Sequence, residues 1–62
     1  MPVTGKQMLR FAEKNGWQLT RINGSHFIMW KEGCAPVSIP VHGNKPLKKG
    51  LTLKLLKQLG LR

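Results

Sequence analysis

The sequence contains no aspartate, and its only acidic side chains are Glu13 and Glu32. That scarcity removes whole classes of chemistry. A nuclease that works through paired metal ions needs several carboxylates to hold them. Here one acid is expected on the first helix and the other in a turn, so the two are not placed to meet. A nucleophilic triad fares no better. Ser25 and Cys34 offer nucleophiles, but no carboxylate lies where it would orient a histidine, and the base of a triad needs that third group. Cysteine is equally sparse. Cys34 stands alone, so there is no internal disulfide, and one cysteine with two histidines fits no zinc spacing. Long apolar runs are missing as well. Nothing approaches the roughly 18 residues that read as a membrane span, and Met1 to Lys6 carries no apolar core of a secretion signal. The expectation is a cytoplasmic protein with no membrane partner, no resident metal and no cofactor.

What the chain has in abundance is positive charge. Eleven Lys and Arg give a formal net charge of +9 and a pI near 10.8. Such an imbalance repels itself and favours a polyanionic partner. Nucleic acid fits best, because neutralised phosphates release their counterions. An anionic membrane surface and a merely basic soluble domain are the weaker alternatives. The length of 62 residues leads to the expectation of one domain over 1–62. A chain of this size buries only roughly 60% of its unfolded surface. That leaves no room for a deep pocket beside a core, and points to chemistry in a surface groove on a large polymer.

Read along the chain, Thr4-Gly5-Lys6-Gln7 is a capping box that opens a helix. Met8, Leu9, Phe11 and Ala12 form its apolar stripe, and Asn15-Gly16 ends it. Trp17 to Ile22 reads as a strand, Asn23-Gly24 as a hairpin turn, and His26 to Lys31 as the returning strand. That second strand carries large apolar groups on both faces, so periodicity does not say which face is covered. Glu32 to Pro36 is a turn. Val37 to Val41 is a third strand, and Pro40 within it asks for an edge position or a strand end. A basic loop from Gly43 to Gly50 leads into a closing helix, about Gly50 to Leu59, with Leu51, Leu55, Leu56 and Leu59 on one face. The expected fold is α+β in the order α-β-β-β-α, a three-stranded antiparallel sheet with two helices on one face. This is the outline of a double-stranded-RNA-binding domain.

With metals and triads set aside, histidine acid–base chemistry on a cationic surface remains. Histidine is the side chain whose ordinary titration falls near cellular pH. RNA brings its own nucleophile, the 2′-hydroxyl. An enzyme need only align it, take its proton, stabilise charge on the phosphate and protonate the leaving 5′-oxygen. DNA lacks that hydroxyl. His26 is a candidate for the proton transfer, with Gly24 and Ser25 beside it. Lys45, Lys48, Lys49 and Lys54 are candidates for holding RNA backbone. Each has an ordinary reading too. A lone histidine opening a strand is usually structural, and Gly24-Ser25 is usually a plain turn. Lysines usually form a solvated face, and His42 sits where a strand closes. Trp17 and Trp30 read as core residues rather than stacking platforms. The residues alone leave a ribonuclease and a non-catalytic basic RNA-binding module both open.

Gly24-Ser25-His26 is also where the sequence resembles a known family. Asn15-Gly16-Trp17, Arg21, Gly24-Ser25-His26, Pro40-Val41-His42, Lys49-Gly50-Leu51-Thr52 and the run Leu55 to Leu61 follow one another in the order and spacing of the HicA toxins. The match covers nearly the whole chain. It implies a double-stranded-RNA-binding-like fold and a messenger-RNA endonuclease that arrests translation without needing the ribosome. It also implies that His26 is the catalytic residue, with Gly24, Ser25 and His42 in supporting or secondary roles. Arg21 joins the lysines as an RNA-binding candidate. The implied partners are mRNA and a HicB-type antitoxin that covers His26 and neutralises the basic face. Its contacting surface should be acidic, because complementary charge speeds encounter and fixes register.

Overall fold

The computed structural model describes residues 2–60. Met1 lies outside the described residues, as do Leu61, the last position of the C-terminal run, and Arg62 of the basic segment. The elements are α1 (Gly5–Lys14), β1 (Gln18–Asn23), β2 (His26–Trp30), β3 (Val37–Pro40) and α2 (Lys49–Gln58). This is the expected α-β-β-β-α order. The sheet runs β1-β2-β3, and both pairings are antiparallel. Among the described residues, no helix is long and apolar enough to cross a membrane.

The start of α1 is written in its first residues. Thr4 Oγ1 accepts from the Gln7 backbone N–H at 3.2 Å, and Gln7 Oε1 accepts from the Thr4 N–H at 2.9 Å. Two donors that a helix start leaves unpaired are thereby satisfied. At the other end Gly16 takes φ 91°, the left-handed conformation that suits glycine after a helix. The buried stripe is narrower than the sequence suggests. Met8 and Ala12 are fully buried and Leu9 is half-buried, but Phe11 is 51% exposed. Phe11 stands one residue, about 100° of helix rotation, away from Ala12, and so turns off the sheet.

The core lies between the helices and one face of the sheet. It comprises Met8 and Ala12 of α1, Trp17, Met29, Val37, Ile39, and Leu55 and Leu59 at the end of the chain. Leu51 and Leu56 pack against it, as the leucine spacing of the last helix predicts. Trp17 enters this core 3% exposed, and its indole N–H donates to the Leu59 carbonyl at 3.1 Å. That bond satisfies a buried indole and one of the carbonyls a helix end leaves open. It also ties the end of α2 to the start of β1.

The structure decides which face of β2 is covered. Phe27 and Met29 turn toward the helices, alongside Ile39 and Val37, their partners on β3. His26, Ile28 and Trp30 therefore occupy the opposite face, which no described helix covers. Trp30 is 43% exposed, which corrects its reading as a core residue. It shares the strand parity of His26 rather than that of Met29.

Two local features set the registers. In β1 the pairing shifts between Leu19, opposite Met29, and Arg21, opposite Ile28, leaving Thr20 as the extra residue of a bulge. The bulge puts Arg21 on the face of its partner Ile28, the uncovered one. In β3, Pro40 is the last residue of an edge strand, as expected. The Val41 N–H donates to the Ser25 carbonyl at 2.8 Å, one step beyond the strand. By the alternation of an antiparallel ladder, the neighbouring His26–Pro40 pair is a non-hydrogen-bonded one, where a missing N–H costs nothing.

Candidate functional site

The site is assembled by the two segments that flank the β2–β3 pair at one end. The β1–β2 connection is tight, because Asn23 and His26 are themselves paired. Its two central residues are Gly24 and Ser25, one position later than the Asn23-Gly24 turn expected from the sequence. Gly24 has φ 64°, and a Cβ there would meet nothing within 4 Å. Backbone conformation, not space, is what asks for glycine at the first turn position.

His26 follows at the head of the central strand. Asn23 flanks it on one side and Pro40 on the other. It is exposed on the uncovered face. Its Nδ1 lies 3.3 Å from Ser38 Oγ on β3. Sequence reading missed Ser38. The signal was available in the antiparallel parity, which gives Ser38, Pro40, His26 and Ile28 one face once Val41 is set opposite Ser25. A serine hydroxyl both donates and accepts, so it serves the ring in either tautomer and leaves Nε2 for other chemistry.

The second segment, Pro40-Val41-His42, leaves β3 and enters a turn closed by the Lys45 N–H donating to the His42 carbonyl at 3.0 Å. His42, Lys45 and Lys48 line a surface cleft of about 360 Å³ together with Pro40 and Leu51. Pro40 thus belongs to both places: it is the cross-strand partner of His26 and a wall of the cleft. The start of α2 adds to the positive character here. Lys48 is its N-cap, no side chain caps its N–H groups, and its first turn holds no acid.

This end of the fold is pinned from beneath. Gly5, the first residue of α1, is buried where a Cβ would overlap the Pro40 carbonyl and crowd Val41. Thr4 bridges to Pro46, and the Leu47 N–H donates to the Val3 carbonyl at 2.6 Å. The N-terminal segment therefore braces the loop that carries Lys45 and Lys48. Both acids lie elsewhere. Glu13 is in the last turns of α1 and Glu32 lies past the far end of β2, where Lys31 Nζ donates to the Asn15 carbonyl at 2.9 Å.

The sequence-derived candidates do not all converge. Gly24-Ser25-His26 is joined to Pro40-Val41-His42 by the Val41–Ser25 bond and the His26–Pro40 pair, His42 lines the cleft with Lys45 and Lys48, and Arg21 shares the uncovered face with His26. Lys49 lines a different cleft, with Pro2, Val3 and Leu53, and Lys54 lines neither. Among the described residues, no three His, Cys, Asp or Glu side chains gather where they would hold a metal ion.

These features define a class: a small, strongly basic α+β domain that presents a histidine on the uncovered face of its sheet, beside a cationic cleft. Residues 5–61 match the model of the HicA toxin of bacterial toxin–antitoxin, and the chain belongs to that family. A solved structure described as a toxin–antitoxin complex from Streptococcus pneumoniae contains a chain 36% identical to this one, with a TM-score of 0.83. The match covers 97% of this chain and 100% of that one. No curated protein matches the sequence.

Proposed function

We propose that the chain is the toxin of a toxin–antitoxin pair and that it cleaves messenger RNA without a metal ion, with His26 transferring the proton. One observation carries this reading. His26 stands exposed on the uncovered sheet face, its Nδ1 beside Ser38 Oγ, and its neighbour Pro40 walls a cleft lined by His42, Lys45 and Lys48.

In the proposed reaction the RNA supplies the nucleophile. The 2′-oxygen attacks the adjacent phosphorus, the O2′–P bond forms, and the P–O5′ bond breaks. The products are a 2′,3′-cyclic phosphate and a 5′-hydroxyl end. One proton leaves the 2′-hydroxyl and one must reach the departing 5′-oxygen. Nε2 of His26 is the atom free for such transfer, as base or as acid. Ser38 holds the ring in place, and His42 is the second imidazole at this end. Lys45, Lys48 and the open N–H groups of α2 stabilise charge on the phosphate. Arg21 holds RNA backbone on the sheet face, and Lys49 and Lys54 extend the cationic surface. The turn at Gly24 and Ser25 sets where His26 begins.

The family and the toxin–antitoxin complex from S. pneumoniae support an antitoxin as the protein partner. A HicB-type antitoxin with an acidic surface covers His26 and the cleft, and toxin and antitoxin meet in the cytoplasm where the messenger is. The test is cleavage of RNA by the purified chain and by His26→Ala, in EDTA, at low and high salt. The expected result is cutting by the parent and binding without cutting by the variant. Equal cutting by both would remove His26 from the chemistry, and binding by both with no cutting would leave a non-catalytic RNA-binding module in its place.

A further inference from the structure

We propose that Trp30 is a stacking platform for a base of single-stranded RNA, lying along β2 from the phosphate that His26 faces. The inference rests on RNA being the ligand, but not on His26 being catalytic. Trp30 is the large aromatic side chain on the uncovered face, 43% exposed. It occupies the last position of the strand that His26 opens. Four residues of strand separate the two by about 13 Å, a distance a short stretch of extended RNA spans. Half-buried Ile28 lies between them and forms a low floor. The partners across the ladders are Gln18, Arg21 and Asn23 on one side and Ser38 and Pro40 on the other. No acid is among them. Arg21 is the one cation among them, and Glu32 follows two residues past Trp30, beyond the strand. An exposed aromatic with hydrogen-bonding neighbours and a basic group beside it is the composition of a site for unpaired nucleic acid. There the bases stack on rings and basic groups track the backbone.

The structure also explains why this ring is free to stack. Trp17, the other tryptophan, is buried and spends its N–H on Leu59. Trp30 has no such anchor among the described hydrogen bonds, and its strand parity keeps it off the core. A protein partner lying on the same face is the competing occupant. The surface argues against it as the primary one, because the apolar residues of the face, Ile28, Trp30 and Pro40, are interspersed with Gln18, Arg21, Asn23, His26 and Ser38.

The experiment measures binding of an unstructured RNA oligonucleotide of mixed sequence to His26→Ala and to His26→Ala with Trp30→Leu. The second substitution should weaken binding by roughly five- to a hundred-fold, the loss of one base stack. Trp30→Phe, which keeps a ring, should retain most of the affinity. RNA should quench tryptophan fluorescence in the parent and not in the Trp30→Leu chain, where only buried Trp17 remains. Unchanged melting temperatures would show that the fold is intact, as exposure of Trp30 leads one to expect. Equal affinity of the two chains overturns the proposal, as does a loss confined to antitoxin binding, which would assign the face to the protein partner. Absence of RNA binding by either chain overturns it too. The outcomes stay separate from those of the nuclease reading. Cutting with an unchanged KM in Trp30→Leu removes the platform and keeps the nuclease. A parent that binds through Trp30 without cutting keeps the platform and removes the nuclease.

Discussion

Ser38 Oγ lies 3.3 Å from Nδ1 of His26, reaching across the β2–β3 ladder from the position opposite Ile28. The two side chains share the uncovered face because their strands are locked in register by the Val41–Ser25 hydrogen bond. In the proposed reaction the hydroxyl is the group that holds the imidazole and so sets where Nε2 points. A hydrogen bond of this kind contributes roughly 0.5–1.5 kcal/mol. Ser38→Ala should therefore lower kcat about three- to ten-fold while leaving KM for RNA unchanged, and Ser38→Thr should restore most of the rate. A change confined to KM would mean that Ser38 contacts substrate and does not position the ring.

His26→Ala should lower the cleavage rate by about 10²- to 10⁴-fold, the usual contribution of one positioned acid or base. RNA affinity should survive. The side chain is exposed, so the melting temperature should hold as well. A denaturation curve and a binding titration on the same preparation check all three expectations. A large drop in stability would reassign His26 to the architecture.

Lys45 and Lys48 are expected to act on phosphates, which gives them a distinct signature. Replacing both with alanine should reduce the slope of log Kobs against log salt by about 1.4, or about 0.7 for each phosphate contact on a single strand. Lys14→Ala, at the far end of α1, removes one charge and is the control for the change per lysine; it should alter the slope little. Identical shifts per lysine in the cleft and at Lys14 would show that only net charge matters.

Gly5→Ala should reverse the usual sign of its type. Alanine is the better helix former by up to about 1 kcal/mol, yet here its Cβ would overlap the Pro40 carbonyl and meet Val41 Cα at 2.9 Å. Overpacking of backbone against backbone costs about 1–3 kcal/mol. A urea melt should show that loss. Because Pro40 faces His26, cleavage should fall further than the unfolded fraction accounts for. A stabilised Gly5→Ala chain would mean that α1 moves away freely and does not brace the site.

Much of the scaffold was legible in the sequence where a local rule acts alone. The capping pair Thr4 and Gln7, the stop at Gly16, the leucine face of α2 and the strand end at Pro40 depend on neighbours a few residues away. The site was legible as segments, since Gly24-Ser25-His26 and Pro40-Val41-His42 stand out in the chain. Their pairing was not, and neither was Ser38, because register is a relation between strands. The same limit explains Trp30. An alternation of period two reads identically with its faces exchanged, and Phe27 and Met29 are as apolar as Ile28 and Trp30. Only the helices decide between them. The bulge at Thr20 was equally silent, and with it the turn of Arg21 toward Ile28.

The bond from the Val41 N–H to the Ser25 carbonyl bears on how such a chain tolerates change in length. It joins the two histidine-bearing segments at one end of the β2–β3 pair, while the 32–36 connection hangs from the other. Residues gained or lost in that connection are absorbed in solvent-facing backbone and leave the union of the segments untouched. The number of residues between the end of β2 and the start of β3 is therefore a free variable. A deletion of one residue inside either strand is not, since it would swing His26 or Ser38 to the buried side.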